Sequence, residues 1–264
     1  HVDACLGGLV IQFMQKAGLE QPVIDFRLPG VTSISADIHK WGGSPKGASV
    51  VLYRGAWLRQ YQTFAYADYP GGLYVTASVS GSKPGYVITA AWATLLITGK
   101  KQFAENVRAV ITAAKAFQMA VESLPLVHIV GRPAVTTVAF SSNVLDVYSI
   151  KAKMDSKGWI LNPCQFPPAV HLGLTLEHTK PGAMAQCIRD LHETIEELAK
   201  ELGFESAEAA QQAYVSGKLR VQQKHRNLVY GSTQSIPDRK IIEQVLRKYI
   251  DKYYVNPDGA ATTA

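Results

Sequence analysis

Apolar and polar positions change their spacing several times along the chain, and each change marks an element. Residues 33–40 (SISADIHK) and 48–54 (ASVVLYR) are short and β-rich, and the WGGSP between them supplies the glycines and proline of a turn, so two strands around a loop are predicted. A Tyr- and Gly-rich connection, FAYADYPGGLY, leads into an uncharged run at 84–99 that reads as a buried helix. A second helix is predicted over 103–124, because Phe103, Val107, Val110, Ile111, Ala114, Phe117 and Val121 recur at helical spacing. VHIVG and VTTVAFSS then read as strands, VLDVYSIKAKMDSKG as a helix ended by Gly158, and AVHLGLTLEH as another strand. After Pro181 comes an amphipathic helix with Met184, Cys187, Ile188, Leu191, Ile195 and Leu198 on one face and Gly203 as its stop. Residues 204–238 are less regular, a last helix is expected over 239–253, and 256–264 (NPDGAATTA) reads as a disordered tail.

Strands alternating with helices predict an α/β protein. The change of character after Gly99 places a domain boundary there, giving regions 1–100 and 101–255. With 264 residues and 47% hydrophobic composition, the chain can bury a substantial core. Its 18% of charged residues is below the usual quarter, which hints at surface covered by another subunit or by more of the same chain.

A net charge of +6 permits anionic partners, but the basic stretch GKLRVQQKHRN (217–227) lacks interleaved aromatics and matches no groove-reading motif, so no nucleic-acid site is expected. The uncharged run at 84–99 is 16 residues long and holds three threonines, too short for a bilayer span. Cys5, Cys164 and Cys187 are odd in number and widely spaced, with no metal-ligand pattern, so no metal site is expected. They point to a reducing, cytoplasmic or cytosol-facing compartment.

HVDACLGG reads as an extended strand that puts His1, Asp3 and Cys5 on one face and Val2 and Ala4 on the other. Its abrupt start, without Met, suggests a piece of a longer chain. An isolated carboxylate there either caps the turn at Gly7 and Gly8 or meets a cationic partner, of which a pyridinium nitrogen is one. Lys40 and Lys46 stand among Gly, Ser and Pro rather than among other charges. A lysine so placed, next to His39 and after a strand, either caps a turn or forms a Schiff base with an aldehyde.

Taken together, Asp3, SADIHK, and GSKPG (81–85) opening a helix resemble the pyridoxal-phosphate family of the group II decarboxylases. Within it, the sphingosine-1-phosphate lyase branch is the more similar. Cys5 stands where the decarboxylases usually carry Ala, and SISADIHKWGGSPKGASVVLYR, GWILNPCQFPPAVHLGLTLEH and YGSTQSIPDR resemble segments of the lyases. The resemblance implies fold type I, with the C-terminal part of the cofactor domain in 1–100 and a small α/β domain in 101–255. It implies that Lys40 binds pyridoxal phosphate covalently, His39 contacts its phosphate, Asp3 pairs with its ring nitrogen and Cys5 lies under the ring. Lys46 would bind the substrate phosphate, and Gly81 and Ser82 would meet the cofactor phosphate across a homodimer interface.

The chain departs from the family in carrying Lys83 where Arg is usual, and TAS (76–78) where Ser-Pro-Thr is usual. The reaction implied is cleavage of a phosphorylated sphingoid base to a long-chain aldehyde and phosphoethanolamine. Residues to which the family assigns proton removal and ring stacking precede HVDACLGG, as would any anchor to the endoplasmic reticulum membrane. The rival readings are an amino acid decarboxylase of the same family and a non-catalytic fragment or interaction partner. The other histidines, His128, His171, His178, His192 and His225, read as packed, edge or exposed residues.

Overall fold

A computed structural model describes residues 1–219 and 236–251, which form two units. The first comprises 1–115 with 134–136 and 174–180, and the second comprises, of the described residues, 116–133, 137–173, 181–219 and 236–251.

The first unit is built on a three-stranded sheet of order β1-β2-β3, from Val2–Asp3, Ser33–Asp37 and Ser49–Tyr53. β1 runs parallel to β2, with Val2 opposite Ile34 and Asp3 opposite Ser35, while β2 and β3 are antiparallel. On β2, Ile34 and Ala36 are buried while Ser33, Ser35 and Asp37 alternate onto the other face, as the period of two demands. Ala4, Val31 and Ile34 form a core with Val2, Ile24 and Phe26 against it. The loop before β2 is tied down by Arg54, whose guanidinium donates to the carbonyls of Val31 (2.7 Å), Phe26 (3.0 Å) and Leu28 (2.5 Å).

HVDACLGG is only briefly a strand. β1 ends at Asp3, and the two glycines open helix α1 (Gly8–Met14), which buries Val10, Ile11 and Met14. Gly8 is needed for close packing, because a Cβ there would lie 3.1 Å from Cβ of Ala4 and 3.4 Å from Cβ of Ala36. After β3 come a short helix α2 (Ala56–Arg59) and an aromatic hairpin, β4 (Phe64–Tyr66) and β5 (Tyr74–Thr76), in the stretch that reads as a connection in the sequence.

Helix α3 (Gly85–Ser123) is two helices joined at Gly99, whose φ of 62° and ψ of 167° are open to glycine alone. The stripe from Phe103 to Val121 is buried as its spacing predicts. In the segment before Gly99, Tyr86, Ile88, Trp92, Leu96 and Ile97 are exposed although the run reads as buried, and no described helix is long and apolar enough to cross a membrane. Val50, Val51 and Leu52 on β3 and Trp57 on α2 are likewise apolar and exposed.

The second unit holds an antiparallel sheet of order β6-β7-β9-β8, from His128–Ile129, Thr137–Ser141, Ala169–Gly173 and Asn162–Cys164 in that order. AVHLGLTLEH is a strand only as far as Gly173, and its end is a 3₁₀ turn, Leu176–Thr179, in which His178 Nδ1 accepts from the backbone N–H of Thr175 at 3.0 Å. Helices α4 (Val147–Ser156) and α5 (Ala183–Glu201) turn Tyr148, Ile150 and Met154, and Cys187, Leu191 and Ile195, into the core. Asp146 caps α4 by accepting from the N–H of Tyr148. Helix α6 (Ala207–Val215) occupies part of the less regular stretch, and α7 (Arg239–Asp251) closes the described chain. Most of the basic stretch 217–227, including His225, most of YGSTQSIPDR, and the tail 256–264 lie outside the described residues.

Phe140 on β7 and Phe117 on α3 are fully buried, with ring centroids 6.1 Å apart in an edge contact. Phe140→Ala is expected to lower unfolding stability by about 3–5 kcal/mol, read from the shift in denaturant midpoint. A loss under about 1 kcal/mol would contradict this packing.

Candidate functional site

The β1–β2 register sets Asp3, Cys5, Ser35 and Asp37 around one side of the sheet, and the turn after β2 delivers Lys40 to them. That turn closes by hydrogen bonds from the N–H of Lys40 to the carbonyl of Asp37 (3.2 Å) and from the N–H of Gly43 to the carbonyl of Lys40 (3.1 Å). Both glycines of WGGSP are structurally required. A Cβ at Gly42 would overlap the carbonyl oxygen of Ile38, and Gly43 has a φ of 68°.

Lys40 Nζ donates to Asp37 Oδ2 at 2.9 Å and to Cys5 Sγ at 3.1 Å. These two partners, Asp37 first, raise the Lys40 pKa above its usual value and keep its amine protonated. Asp37 accepts from Ser49 Oγ at 2.6 Å, and this bond, followed by Lys40, lowers its pKa. His39 Nδ1 donates to the carbonyl of Ala48 at 2.8 Å, so its Nε2 faces Asp37 at 3.7 Å.

Asp3 accepts from the N–H of Cys5 (3.1 Å) and from Ser35 Oγ (3.2 Å), and its pKa is lowered, most by the Cys5 backbone bond. Its direct hydrogen-bond partners are thus neutral, and the carboxylate is exposed. His1 completes this row through Ser33 Oγ at 2.8 Å and Ser35 Oγ at 3.3 Å.

A cleft of about 620 Å³ adjoins this cluster. Lys46, Ser82 and Lys83 line it together with Ser80, and Ile38, Val50, Val87 and Ala91 give it an apolar wall. Ala48 and Ser49 belong to both places, lining the cleft while bonded to His39 and Asp37. Gly81 sits beside it in a turn, with a φ of 64° and its N–H on the carbonyl of Ser78.

Of the residues singled out in the sequence, the structure therefore gathers Asp3, Cys5, His39 and Lys40 in one cluster and Lys46 and Ser82 in the neighbouring cleft. Sequence reasoning passed over Asp37, Ser35 and Ser49. The available signal for Asp37 was its i, i+3 spacing to Lys40 across a turn, together with its parity with Ser35 on the strand. Elsewhere, His171 Nδ1 lies 3.4 Å from Cys164 Sγ, and burial lowers the pKa of the imidazole and raises that of the thiol. The cysteines Cys5, Cys164 and Cys187 are all free.

A lysine amine and an exposed carboxylate on one sheet face match an aldehyde bound to a protonatable ring nitrogen. The residues present fit pyridoxal phosphate, with Lys40 for the aldehyde and Asp3 for the nitrogen. A lysine amine so placed can take a carbonyl compound as an imine.

The profile described as pyridoxal-dependent decarboxylase conserved domain matches residues 1–143. The chain belongs to that family. Sphingosine-1-phosphate lyase 1 of Rattus norvegicus is 38% identical over 256 residues, covering 96% of this chain and 42% of the rat protein. The sphingosine-1-phosphate lyase of Saccharomyces cerevisiae is 40% identical over 177 residues, covering 66% of this chain and 30% of the yeast protein. The solved sphingosine-1-phosphate lyase of Burkholderia pseudomallei superposes with a TM-score of 0.71 at 36% identity, over 83% of this chain and 48% of that one. Glutamate decarboxylase of Lactobacillus brevis, with a TM-score of 0.60 and 20% identity over 75% of this chain and 46% of its own, shares the fold. The fold is that of the type I pyridoxal-phosphate enzymes. The chain spans less than half the length of these relatives.

Attack on an aldehyde needs a neutral amine, whereas Asp37 holds Lys40 protonated. Asp37→Asn is therefore expected to speed the reaction of Lys40 with pyridoxal at pH 8, by about tenfold for each unit its pKa falls. In the unaltered chain the rate should climb steadily with pH. Borohydride trapping at timed intervals measures both, and equal rates for the two chains would show that Asp37 does not control this proton.

Proposed function

We propose that this chain carries the cofactor-lysine part of a pyridoxal-phosphate-dependent lyase that cleaves phosphorylated sphingoid bases to a long-chain aldehyde and phosphoethanolamine. The observation that carries the reading is the placement of Lys40 Nζ beside Cys5 and Asp37, on the strands that also present Asp3. Lys46 lining an adjoining cleft with an apolar wall supports a substrate that combines a phosphate with an alkyl chain. The identities to sphingosine-1-phosphate lyases over nearly the whole chain favour this over the decarboxylase alternative.

Each residue has a definable task. Lys40 binds the cofactor covalently and gives way to the substrate amine, after which Asp37 and Cys5 hold its ammonium ready to move a proton. Asp3 stays ionised and keeps the ring nitrogen protonated. Bound pyridoxal phosphate supplies an electron-accepting ring for the pair released when the bond between the amine-bearing and hydroxyl-bearing carbons breaks. Cys5 is assigned to packing against the bound ring, His39 to the cofactor phosphate, and Lys46 to the substrate phosphate. Gly81 and Ser82 are assigned to the cofactor phosphate of a second copy in a homodimer, and the exposed apolar surface of β3 and α3 supports such a partner. Three free cysteines support a cytosol-facing location.

Incubation with pyridoxal phosphate, borohydride reduction and peptide mass spectrometry should place a pyridoxyl group on Lys40, absent in Lys40→Ala. In the same preparation, aldehyde and phosphoethanolamine released from a phosphorylated sphingoid base would establish the lyase. Carbon dioxide released from an amino acid instead would establish the decarboxylase, and a label away from Lys40 would overturn both.

A further inference from the structure

The cleft beside the Lys40 cluster holds a second cation that the lyase reading does not use. Lys83 lines it along with Lys46, from the loop that leads into α3. Both side chains are exposed, and neither has an acidic partner among the described residues. The lining residues include no carboxylate, while Ser80 contributes a hydroxyl group and that of Ser49 is already donated to Asp37. The first turn of α3, with Tyr86, Val87 and Ile88, also opens onto it.

Two like charges in one cleft repel each other, and a bound anion relieves that repulsion. The helix start adds unsatisfied N–H groups and the positive end of its dipole, which favour the same charge. Lysine acts here as a compact point charge with three donors that can turn toward any oxygen of a tetrahedral group.

We infer that Lys83 is a second phosphate ligand, acting with Lys46 on the phosphate monoester of the substrate, and that it favours a dianion over a monoanion. This rests on the proposed lyase reading for the identity of the substrate. It does not rest on it for the presence of an anion site.

Inorganic phosphate titrated into the chain by calorimetry, with sulfate as a comparison, tests it. Removing a charged ligand costs roughly tenfold or more in affinity, so Lys83→Ala and Lys46→Ala should each weaken phosphate binding by at least about that factor. Lys83→Arg should stay within a few-fold of the unaltered chain, and raising the pH from 6 to 8 should strengthen binding as phosphate becomes a dianion. Unaltered denaturant midpoints would show that the variants fold. Phosphate binding in Lys83→Ala equal to that of the unaltered chain, or no phosphate binding at all, would overturn the inference. The borohydride label at Lys40 is scored separately with pyridoxal, which carries no phosphate. A label at Lys40 with phosphate binding indifferent to Lys83 sinks this inference alone, whereas a Lys83-dependent phosphate site without the label sinks the lyase reading alone.

Discussion

The register between β1 and β2 is the constraint on which the site depends. Asp3 opposite Ser35 fixes which residues of two distant segments share a face, and with them the distance from Cys5 to Lys40. Because side chains alternate along a strand, a slip by one residue would send Asp3 toward the core and bring Val2 out. The apolar contacts of Val2 and Ala4 with Ile34 hold the register, so the packing on one side of the sheet sets the chemistry on the other. The short β1 has few hydrogen bonds of its own, and the N–H of Ala4 on the carbonyl of Ser35 (3.0 Å) and that of Asp37 on the carbonyl of Cys5 (3.2 Å) extend it.

Charge is organised around this frame with an evident hierarchy. Asp37 neutralises Lys40, Ser49 supports Asp37, and Asp3 is left with neutral donors only, so that one carboxylate is committed to the protein and the other is open to a ligand. In the second unit, Lys153 and Lys157 meet Glu193, Glu197 and Glu201 across α4 and α5 at the surface, where such pairs add little stability. Similar residue types thus perform different work because of where the backbone places them.

Much of this was legible in the chain. β2 before WGGSP, the stripe of α3 after Gly99, and α5 follow from periodicity, since each buries one face and leaves the other polar, whereas β3 is legible only from its run of β-branched and apolar residues, all of them exposed or half-buried. The elements that escaped have weaker local signals. Helix α1 buries Val10, Ile11 and Met14 but has only seven residues and begins with glycine where a strand is ending, so its stripe is too short to read, and the hairpin of β4 and β5 exposes its aromatics and has no buried face to alternate. Helix α6 is rich in alanine and buries only Ala207 and Ala210. Lys40, Asp3 and Cys5 were legible through their motifs, but Asp37 and Ser49 acquire their role only when the turn folds and β3 pairs with β2.

The break at Gly99 gives the long helical region independent phases. A continuous helix ties the direction of every side chain to the one before it, at about 100° per residue, so a change in length anywhere rotates the whole stripe. With a residue at φ 62° and ψ 167° between them, the segment from Gly85 and the segment to Ser123 each keep their own angular setting. The exposed apolar face of the first and the buried stripe of the second can therefore diverge in sequence without disturbing each other, and glycine at this one position is what preserves that freedom.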